Sequence, residues 1–224
     1  AFDAYVKPVV ENYLVCLENE LNRAGVSSEP KIMQSRGGMS AISIARQRPV
    51  RLFLSGPAAG VVGAATVGKA VEVDDLISVD IGGTSCDIAL ISGGRPKLRA
   101  EGEIEGYPVR VNMVDVNAIG AGGGSLVWFD AAGGLRVGPG SAGANPGPAC
   151  YGRGGKRATV TDASIVLGYL NPTYFAGGSI NLDSQRAYDV IEKNVAKPLK
   201  FSVERAALGI HRVVNAQMAE GIRL

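Results

Sequence analysis

Two carboxylates, two glycines and two hydroxyl side chains lie within one short stretch of the chain. They are Asp80, Gly82, Gly83, Thr84, Ser85 and Asp87. Glycines allow backbone N–H groups to approach an anion without an intervening Cβ, and hydroxyls add hydrogen-bond donors. A nearby carboxylate can hold Mg²⁺ or orient a nucleophile. The stretch therefore predicts a phosphate site, with Asp80 and Asp87 as catalytic residues.

Two apolar segments on either side of the glycines would position these side chains. Leu76–Ile81 and residues 86–91 have the composition of β-strands, and residues 82–85 form the turn between them. Residues 97–103 supply a third strand, which predicts a meander of hairpins. An ordinary glycine-turn hairpin without a ligand is the alternative. We favour the phosphate site, because aspartates both before and after such a turn are much less common.

Two other glycine patterns resemble nucleotide-binding motifs but lack part of the required chemistry. Residues 63–70 nearly match GxxxxGK[ST], but Ala70 replaces the hydroxyl that would bind magnesium. Residues 138–143 match GxGxxG, but Pro146 and Pro148 follow and prevent the helix that a dinucleotide site needs. Neither segment is predicted to bind a nucleotide.

The rest of the chain alternates between helical and strand patterns. We predict helices over residues 3–24, 40–48, 58–70, 163–170 and 184–195 and from Ser202 onward, with Asp162, Asp183 or Ser184, and Ser202 as caps. We predict further strands over residues 31–35, 50–54, 109–116, 125–130 and 135–137. Residues 138–155 are predicted to be a long ordered loop, with disorder as the alternative.

Composition excludes several classes of protein. The 224 residues carry a formal charge of +2 with scattered Lys and Arg, which argues against a nucleic-acid or membrane-surface partner. Three distant cysteines without metal spacing fit free thiols in a reducing cytoplasm. No apolar run approaches the ~20 residues that span a bilayer. The single histidine, His211, is interpreted as a surface or packing residue.

Several short sequence blocks, most of them containing glycine, follow one another in a specific order. They are residues 32–38 (IMQSRGG), 54–63 (LSGPAAGVVG), 80–87, 116–125 (VNAIGAGGGS), 138–151 (GPGSAGANPGPACY) and 159–163 (TVTDA). In this order they resemble the hydantoinase A/5-oxoprolinase family, which includes N-methylhydantoinase and the acetone and acetophenone carboxylase subunits. The resemblance extends over nearly the whole chain.

The resemblance implies an α/β fold of the actin-like ATPase (ribonuclease H-like) architecture, a mixed sheet with flanking helices. Residues 1–72 would end one ribonuclease H-like domain. Residues 73–224 would begin a second, with a glycine-rich excursion over residues 104–160. The implied enzyme opens a cyclic amide of the hydantoin or 5-oxoproline type with ATP and Mg²⁺, through a phosphorylated intermediate. A second subunit or domain of the hydantoinase B type is the implied partner.

Carried onto this sequence, the family pattern assigns roles residue by residue. The turn residues Gly82, Gly83, Thr84 and Ser85 would hold ATP phosphates. Further cofactor-binding residues, lining the same cleft, would be Ser55, Gly56, Gly122, Gly123 and Gly124. Asp80 and Asp115 are the candidate metal ligands.

The sequence departs from the family at two positions that bear on a metal. Members tend to have histidine where this chain has Asn117 and Asn145, and asparagine is a poor ligand for zinc. A transition-metal site is therefore doubtful. Cys150 is interpreted as a small buried thiol.

The resemblance also implies that the chain is an internal fragment. A first phosphate hairpin would precede Ala1, and an adenine-contacting segment would follow Leu224. We therefore expect the chain to be inactive alone, because phosphoryl transfer needs a complete site. An ATP-dependent ketone carboxylase subunit is the second interpretation. A non-catalytic actin-like scaffold or sugar kinase relative is the third.

Overall fold

The computed structural model describes residues 2–104 and 106–223 and contains two compact units. One comprises Ala1–Ser78 and Ala89–Val116, and the other comprises Val79–Ile88 and Asn117–Leu224. Both contain helices and short strands, so the predicted α/β class is confirmed. The finer assignment to two ribonuclease H-like domains over residues 1–72 and 73–224 stays a prediction.

The helices are α1 (Phe2–Arg23), α2 (Ile42–Gln47), α3 (Ser55–Ala70), α4 (Val160–Val166), α5 (Ser184–Ile191), α6 (Lys197–Leu199) and α7 (Val203–Arg223). A π-helical turn, Glu192–Ala196, joins α5 to α6, and short 3-10 turns lie at Pro49–Leu52, Ala149–Tyr151 and Ala176–Gly178. No helix in the described part of the chain has the length and apolar character needed to cross a membrane.

The strands are β1 (Lys31–Met33), β2 (Met39–Ala41), β3 (Leu76–Ile81), β4 (Cys86–Ser92), β5 (Arg95–Pro96), β6 (Leu98–Arg99), β7 (Gly102–Ile104), β8 (Tyr107–Val109), β9 (Met113–Val114), β10 (Val116–Ile119), β11 (Ser125–Phe129) and β12 (Leu135–Ser141). They form small sheets, of which the largest has the order β10-β4-β3 with β5 on β4. The pair β11–β12 is antiparallel.

The first unit has two apolar clusters. Leu14 of α1 packs against Ile42 and Ala45 of α2. The second cluster joins α3 to strand residues such as Ile91 and Val114. Helix α1 agrees with the helix predicted over residues 3–24, and Gly25, with φ +82°, lies just beyond its end. A residue without Cβ adopts this left-handed conformation at little cost, which is why helices often end at glycine.

The second unit has its core where α7 crosses the pair β11–β12. Ile210 and Val214 of α7 and Val137 of β12 are fully buried in this cluster. Helix α7 begins after Ser202, whose Oγ accepts from the Arg205 N–H at 3.2 Å, as the predicted cap requires. This core supports the glycine segment, residues 120–124, which lies just before β11.

The structure corrects several of the predicted elements. The strands predicted over residues 97–103 and 109–116 are each broken into shorter strands, and β6 pairs with β9 rather than with β4. The strand predicted over residues 50–54 is instead the 3-10 turn Pro49–Leu52, and α3 begins at Ser55. Short apolar runs do not distinguish a strand from a buried turn, and Pro57 fits the first helical turn, where no intrahelical N–H bond is lost. Asp162 is not the N-cap of α4, because Thr159 takes that position. Asp162 is the third residue of the helix, and its side chain accepts from the backbone N–H of Thr159 in a capping box.

The glycine- and proline-rich stretch is ordered. Strand β12 continues to Ser141, well beyond the predicted residue 137, and a 3-10 turn follows at Ala149–Tyr151. No helix begins near residue 143, in agreement with the rejected dinucleotide motif.

Candidate functional site

The turn between β3 and β4 forms the centre of the candidate site. The Gly82 N–H donates to the carbonyl oxygen of Ser85 at 2.9 Å and closes the turn. The N–H groups of Gly83 and Thr84 have no backbone acceptor within the described residues. Gly83 and Thr84 are also exposed, so both donors are available to an anion.

The glycine segment lies directly against this turn. The Gly123 N–H donates to Gly82 O at 2.9 Å, and the Gly124 N–H donates to Gly83 O at 2.6 Å. A Cβ on Gly122 would lie 2.6 Å from the carbonyl carbon of Thr84. Only glycine permits this approach of two backbones. The structure therefore brings together the turn and the glycine segment that the sequence assigned to one cleft.

Two further segments fix the position of the glycine segment. Thr161, at the start of α4, donates to Gly123 O from its backbone N–H at 2.7 Å and from its Oγ1 at 2.9 Å. The Ala142 N–H donates to Gly124 O at 2.8 Å. Because these bonds come from separate parts of the second unit, the glycine backbone is held in place before any ligand arrives.

The two carboxylates of the turn differ in their surroundings. Asp80 is exposed, whereas Asp87 is half-buried. Burial raises the pKa of Asp87 and the charge of Asp80 adds to this, while a hydrogen bond with Ser85 opposes it. Asp80 is therefore the more accessible of the two carboxylates.

Asp80 lies on a strand, β3, that is largely exposed within the described residues. Strand β3 is the outer strand of the order β10-β4-β3, and Val79 and Ile81 are 42% and 56% exposed. The buried position belongs to β4, where Cys86 is 0% exposed and Ile88 6%. The apolar residues of β3 alone could not reveal this, since edge and central strands share their composition.

Three predicted site residues lie in the other compact unit. Ser55 and Gly56 form the first turn of α3. Asp115 lies 3.8 Å from Arg99, and its backbone N–H donates to Lys97 O at 2.8 Å. No group of three or more His, Cys, Asp or Glu side chains that could hold a metal occurs in residues 2–104 and 106–223.

Next to the turn, the second unit contains a cavity of about 480 Å³, which we call the hairpin cavity. Gly82, Gly83, Gly122 and Gly123 line one part of it. The remaining lining is mostly apolar, with a few polar side chains from α4 and α7. An apolar cavity with a few polar groups is typical of small-molecule sites.

Sequence reasoning missed the role of His211 in this cavity. His211 lines the cavity, and its Nε2 lies 3.0 Å from Ser164 Oγ. Burial lowers the pKa of His211, so the neutral imidazole is favoured. The signal was helical spacing: residues 211, 214, 215 and 218 lie on one face of α7, and all of them line the cavity.

Asp162 was predicted only as a helix cap, and its structural role is wider than that. Its carboxylate is 0% exposed and accepts from Thr159 Oγ1 at 2.8 Å, from the Cys150 N–H at 2.9 Å and from the Thr159 N–H at 3.1 Å. Burial raises the pKa of Asp162. The carboxylate therefore ties the segment around Cys150 to the start of α4.

The residues considered as ligands of a transition metal are instead hydrogen-bonded or buried within the fold. Asn117 Nδ2 donates to Gly221 O at 3.1 Å. Cys150 is 0% exposed, and burial followed by the nearby Asp162 charge raises the pKa of its thiol. A thiol held in its neutral form is a poor metal ligand. The interpretation of Cys150 as a buried thiol is confirmed.

Comparison with known proteins adds independent information. A sequence profile described as Hydantoinase/oxoprolinase matches residues 1–224. The chain is 43% identical to the caprolactamase subunit alpha of Pseudomonas jessenii over 99% of its own length and 32% of that subunit. The crystal structure of that ATP-dependent caprolactamase superposes with a TM-score of 0.80.

Two further relatives perform different reactions according to their names. The nucleotide-free structure of acetone carboxylase, from work on ATP-dependent acetone carboxylation, superposes with a TM-score of 0.86 at 32% identity. That match includes 94% of this chain and 29% of the other. The 5-oxoprolinase 1 of Arabidopsis thaliana is 36% identical over 99% of this chain and 18% of the relative. The chain thus spans about a third or less of these proteins.

Proposed function

This chain belongs to the hydantoinase/oxoprolinase family, and from that premise we propose that it is part of an ATP-dependent enzyme that opens a cyclic amide. The observation that carries the proposal is the contact between the turn at Gly82–Gly83 and the glycine segment, which leaves two backbone N–H groups exposed. Such groups bind phosphate oxygens without competition from side chains.

In this proposal the turn positions the phosphates of ATP. The N–H groups of Gly83 and Thr84 and the hydroxyls of Thr84 and Ser85 donate to phosphate oxygens. ATP, when bound, would transfer its γ-phosphoryl group to the amide oxygen with ADP as the leaving group, which would make the carbonyl carbon a better electrophile for water. The chain contributes by orienting the reactants and stabilising charge, which account for most of phosphoryl-transfer catalysis.

The carboxylates have separate roles in the proposed mechanism. Asp80, which is exposed beside the turn, would hold Mg²⁺, an ion that usually takes one or two protein carboxylates together with substrate phosphates. Asp87, half-buried beside the turn and with a pKa raised by burial, would be the second catalytic carboxylate. Asp115 remains a proposed second carboxylate for the metal, and Ser55 and Gly56 remain proposed to line the cleft.

The wider setting of this site is also part of the proposal. We propose the actin-like architecture, with ribonuclease H-like domains over residues 1–72 and 73–224, within a longer cytoplasmic polypeptide. A hydantoinase B-type subunit or domain would be its partner. The names of the relatives support a partner, since they are called alpha and beta subunits.

An ATP-dependent carboxylase is the second candidate function. The acetone carboxylase structure supports it, because it superposes on this chain with a TM-score of 0.86. A carboxylase would require bicarbonate and a ketone, neither of which a cyclic amidase uses. The requirement for bicarbonate therefore distinguishes the two functions.

The test is phosphate release from ATP by the longer protein that contains this chain, with and without its partner subunit. Hydantoin, N-methylhydantoin, 5-oxoproline, a lactam, and a ketone with bicarbonate would each be added. We expect one cyclic amide to stimulate release and Asp80→Asn to abolish the stimulation. Stimulation only by the ketone with bicarbonate would replace the amidase by the carboxylase, and no stimulation by any compound would contradict both.

A further inference from the structure

We propose that the hairpin cavity binds the acceptor molecule of the reaction and selects uncharged rings over rings that carry a carboxylate. The inference rests on the proposed function, since it needs phosphates at the turn. It goes further by naming the class of ring and the residues that select it. The family resemblance does not decide whether the substrate is a neutral cyclic amide or one that carries a carboxylate.

The cavity has the size and position that an acceptor needs. Its volume of about 480 Å³ lies within the ~300–1,000 Å³ typical of small-molecule sites. Gly82 and Gly83 form part of its wall, so a molecule inside it lies beside the proposed phosphate site. Reacting atoms must come within about 3–3.5 Å of each other, and a cavity that adjoins the turn permits this approach.

The lining determines which charge the cavity accepts. Leu170, Phe175 and Met218 supply apolar surface, and no Asp, Glu, Lys or Arg occurs among the described residues that line the cavity. His211 is the side chain of this described lining that could become a cation, and burial lowers its pKa. When the turn N–H groups hold phosphate, a carboxylate in this cavity would meet no cationic side chain of the lining, and burying an unpaired charge is strongly unfavourable.

The pair Ser164–His211 adds directional hydrogen bonding. Ser164 Oγ lies 2.9 Å from Val160 O and 3.0 Å from His211 Nε2. When the hydroxyl donates to Val160 O, Oγ accepts from the Nε2–H of His211. In this tautomer Nδ1 of His211 carries a lone pair. It can accept from the ring N–H of a secondary cyclic amide, and a ketone or an N-methylated amide lacks that proton.

A matched pair of ligands tests the charge selection. 2-Pyrrolidone and 5-oxoproline differ only by a carboxylate, and 5-oxoproline amide has similar bulk without the charge. Binding of each to the full chain would be measured by ligand-observed NMR titration, and Mg-ATP binding would be measured separately. We expect 2-pyrrolidone and the amide to bind at least tenfold more tightly than 5-oxoproline.

Three variants connect this selection to the cavity. Met218→Lys introduces a cation into the lining, so it should raise the affinity for 5-oxoproline at least tenfold relative to 2-pyrrolidone. His211→Phe removes the acceptor and should eliminate the preference for 2-pyrrolidone over N-methylpyrrolidone. Arg212→Gln changes an exposed neighbour on α7 outside the cavity, and it should alter neither ratio.

The possible outcomes separate this inference from the proposed function. Equal affinity for 2-pyrrolidone and 5-oxoproline, or no binding of any ring by a folded chain that binds Mg-ATP, would overturn the inference alone. Competition between adenosine and 2-pyrrolidone would assign the cavity to the nucleoside and overturn it as well. Selective binding of neutral rings by a chain that fails to bind Mg-ATP would support the cavity and contradict the phosphate site.

Discussion

Gly122 and Thr84 approach each other so closely that a Cβ on Gly122 would lie 2.6 Å from the carbonyl carbon of Thr84 and 2.7 Å from its nitrogen. Both neighbours are backbone atoms, which cannot rotate away. The contact therefore holds the turn against the glycine segment, and its loss should separate them.

Gly122→Ala should destabilise the chain and weaken nucleotide binding together. Forcing a methyl group into a packed site typically costs about 1–3 kcal/mol, and here the turn must move. Urea denaturation and Mg-ATP titration would measure the two effects. Gly63→Ala is the control, since nothing lies within 4 Å of a Cβ at that helical position. A Gly122→Ala variant with wild-type stability and affinity would refute the proposed role of the contact.

Gly83→Ala should separate binding from stability. A Cβ on Gly83 meets nothing within 4 Å, so the fold has room for the methyl group. The methyl group would, however, stand beside the exposed N–H groups that we assign to phosphate. We expect unchanged urea denaturation and about tenfold weaker Mg-ATP binding, equivalent to about 1.4 kcal/mol. Unchanged affinity would mean that phosphate binds elsewhere.

Local signals in the sequence were sufficient for much of the fold. Ser202 before α7 and the glycine turn between β3 and β4 were predicted, because caps and turns depend on a few adjacent residues. The strand predicted over residues 50–54 failed because a short apolar run has no decisive period.

The long-range contacts at the site could not be predicted from the sequence. The bond between Thr161 and Gly123 joins positions 38 residues apart, and no local pattern specifies it. The same holds for Asp162, whose carboxylate reaches the Cys150 N–H across 12 residues. The helical spacing of α7 could have predicted the position of His211, but a single histidine on an apolar face is usually a packing residue.

Asp162→Asn should destabilise the chain markedly. The carboxylate accepts from Thr159 and Cys150, and an amide would turn an NH₂ group toward one or more of these donors. A buried donor left without an acceptor costs about 1–3 kcal/mol. Asp183→Asn is a matched control, because asparagine also caps helices well and Asp183 is the N-cap of α5. Equal urea midpoints for the two variants would contradict this role of Asp162.

The three thiols should differ in reactivity. Cys16 is exposed, whereas Cys86 and Cys150 are both 0% exposed and burial raises the pKa of each thiol. The thiolate is the reactive form, so both buried thiols should be inert in the folded chain. A chromogenic disulfide reagent should titrate one thiol natively and three in denaturant. Removal of the native reaction by Cys16→Ser would confirm the assignment.

His211 should give the chain a distinctive dependence of stability on pH. Burial lowers its pKa in the folded state, so the neutral form is the one that folding favours. The stabilisation is therefore fully present above the unfolded value of about 6.5 and is lost as the pH falls through the folded pKa. Glutamine at position 211 has no group that titrates in this range. As the pH falls from 7 to 5, the wild type should lose this stabilisation and the His211→Gln variant should not, so the difference between their unfolding free energies should shrink. Because His211 is the single histidine of the sequence, its ring resonance can be followed directly by NMR, and a midpoint above 6.5 would show that the cavity favours the imidazolium. That result would also remove the electrostatic basis for excluding a carboxylate-bearing ring.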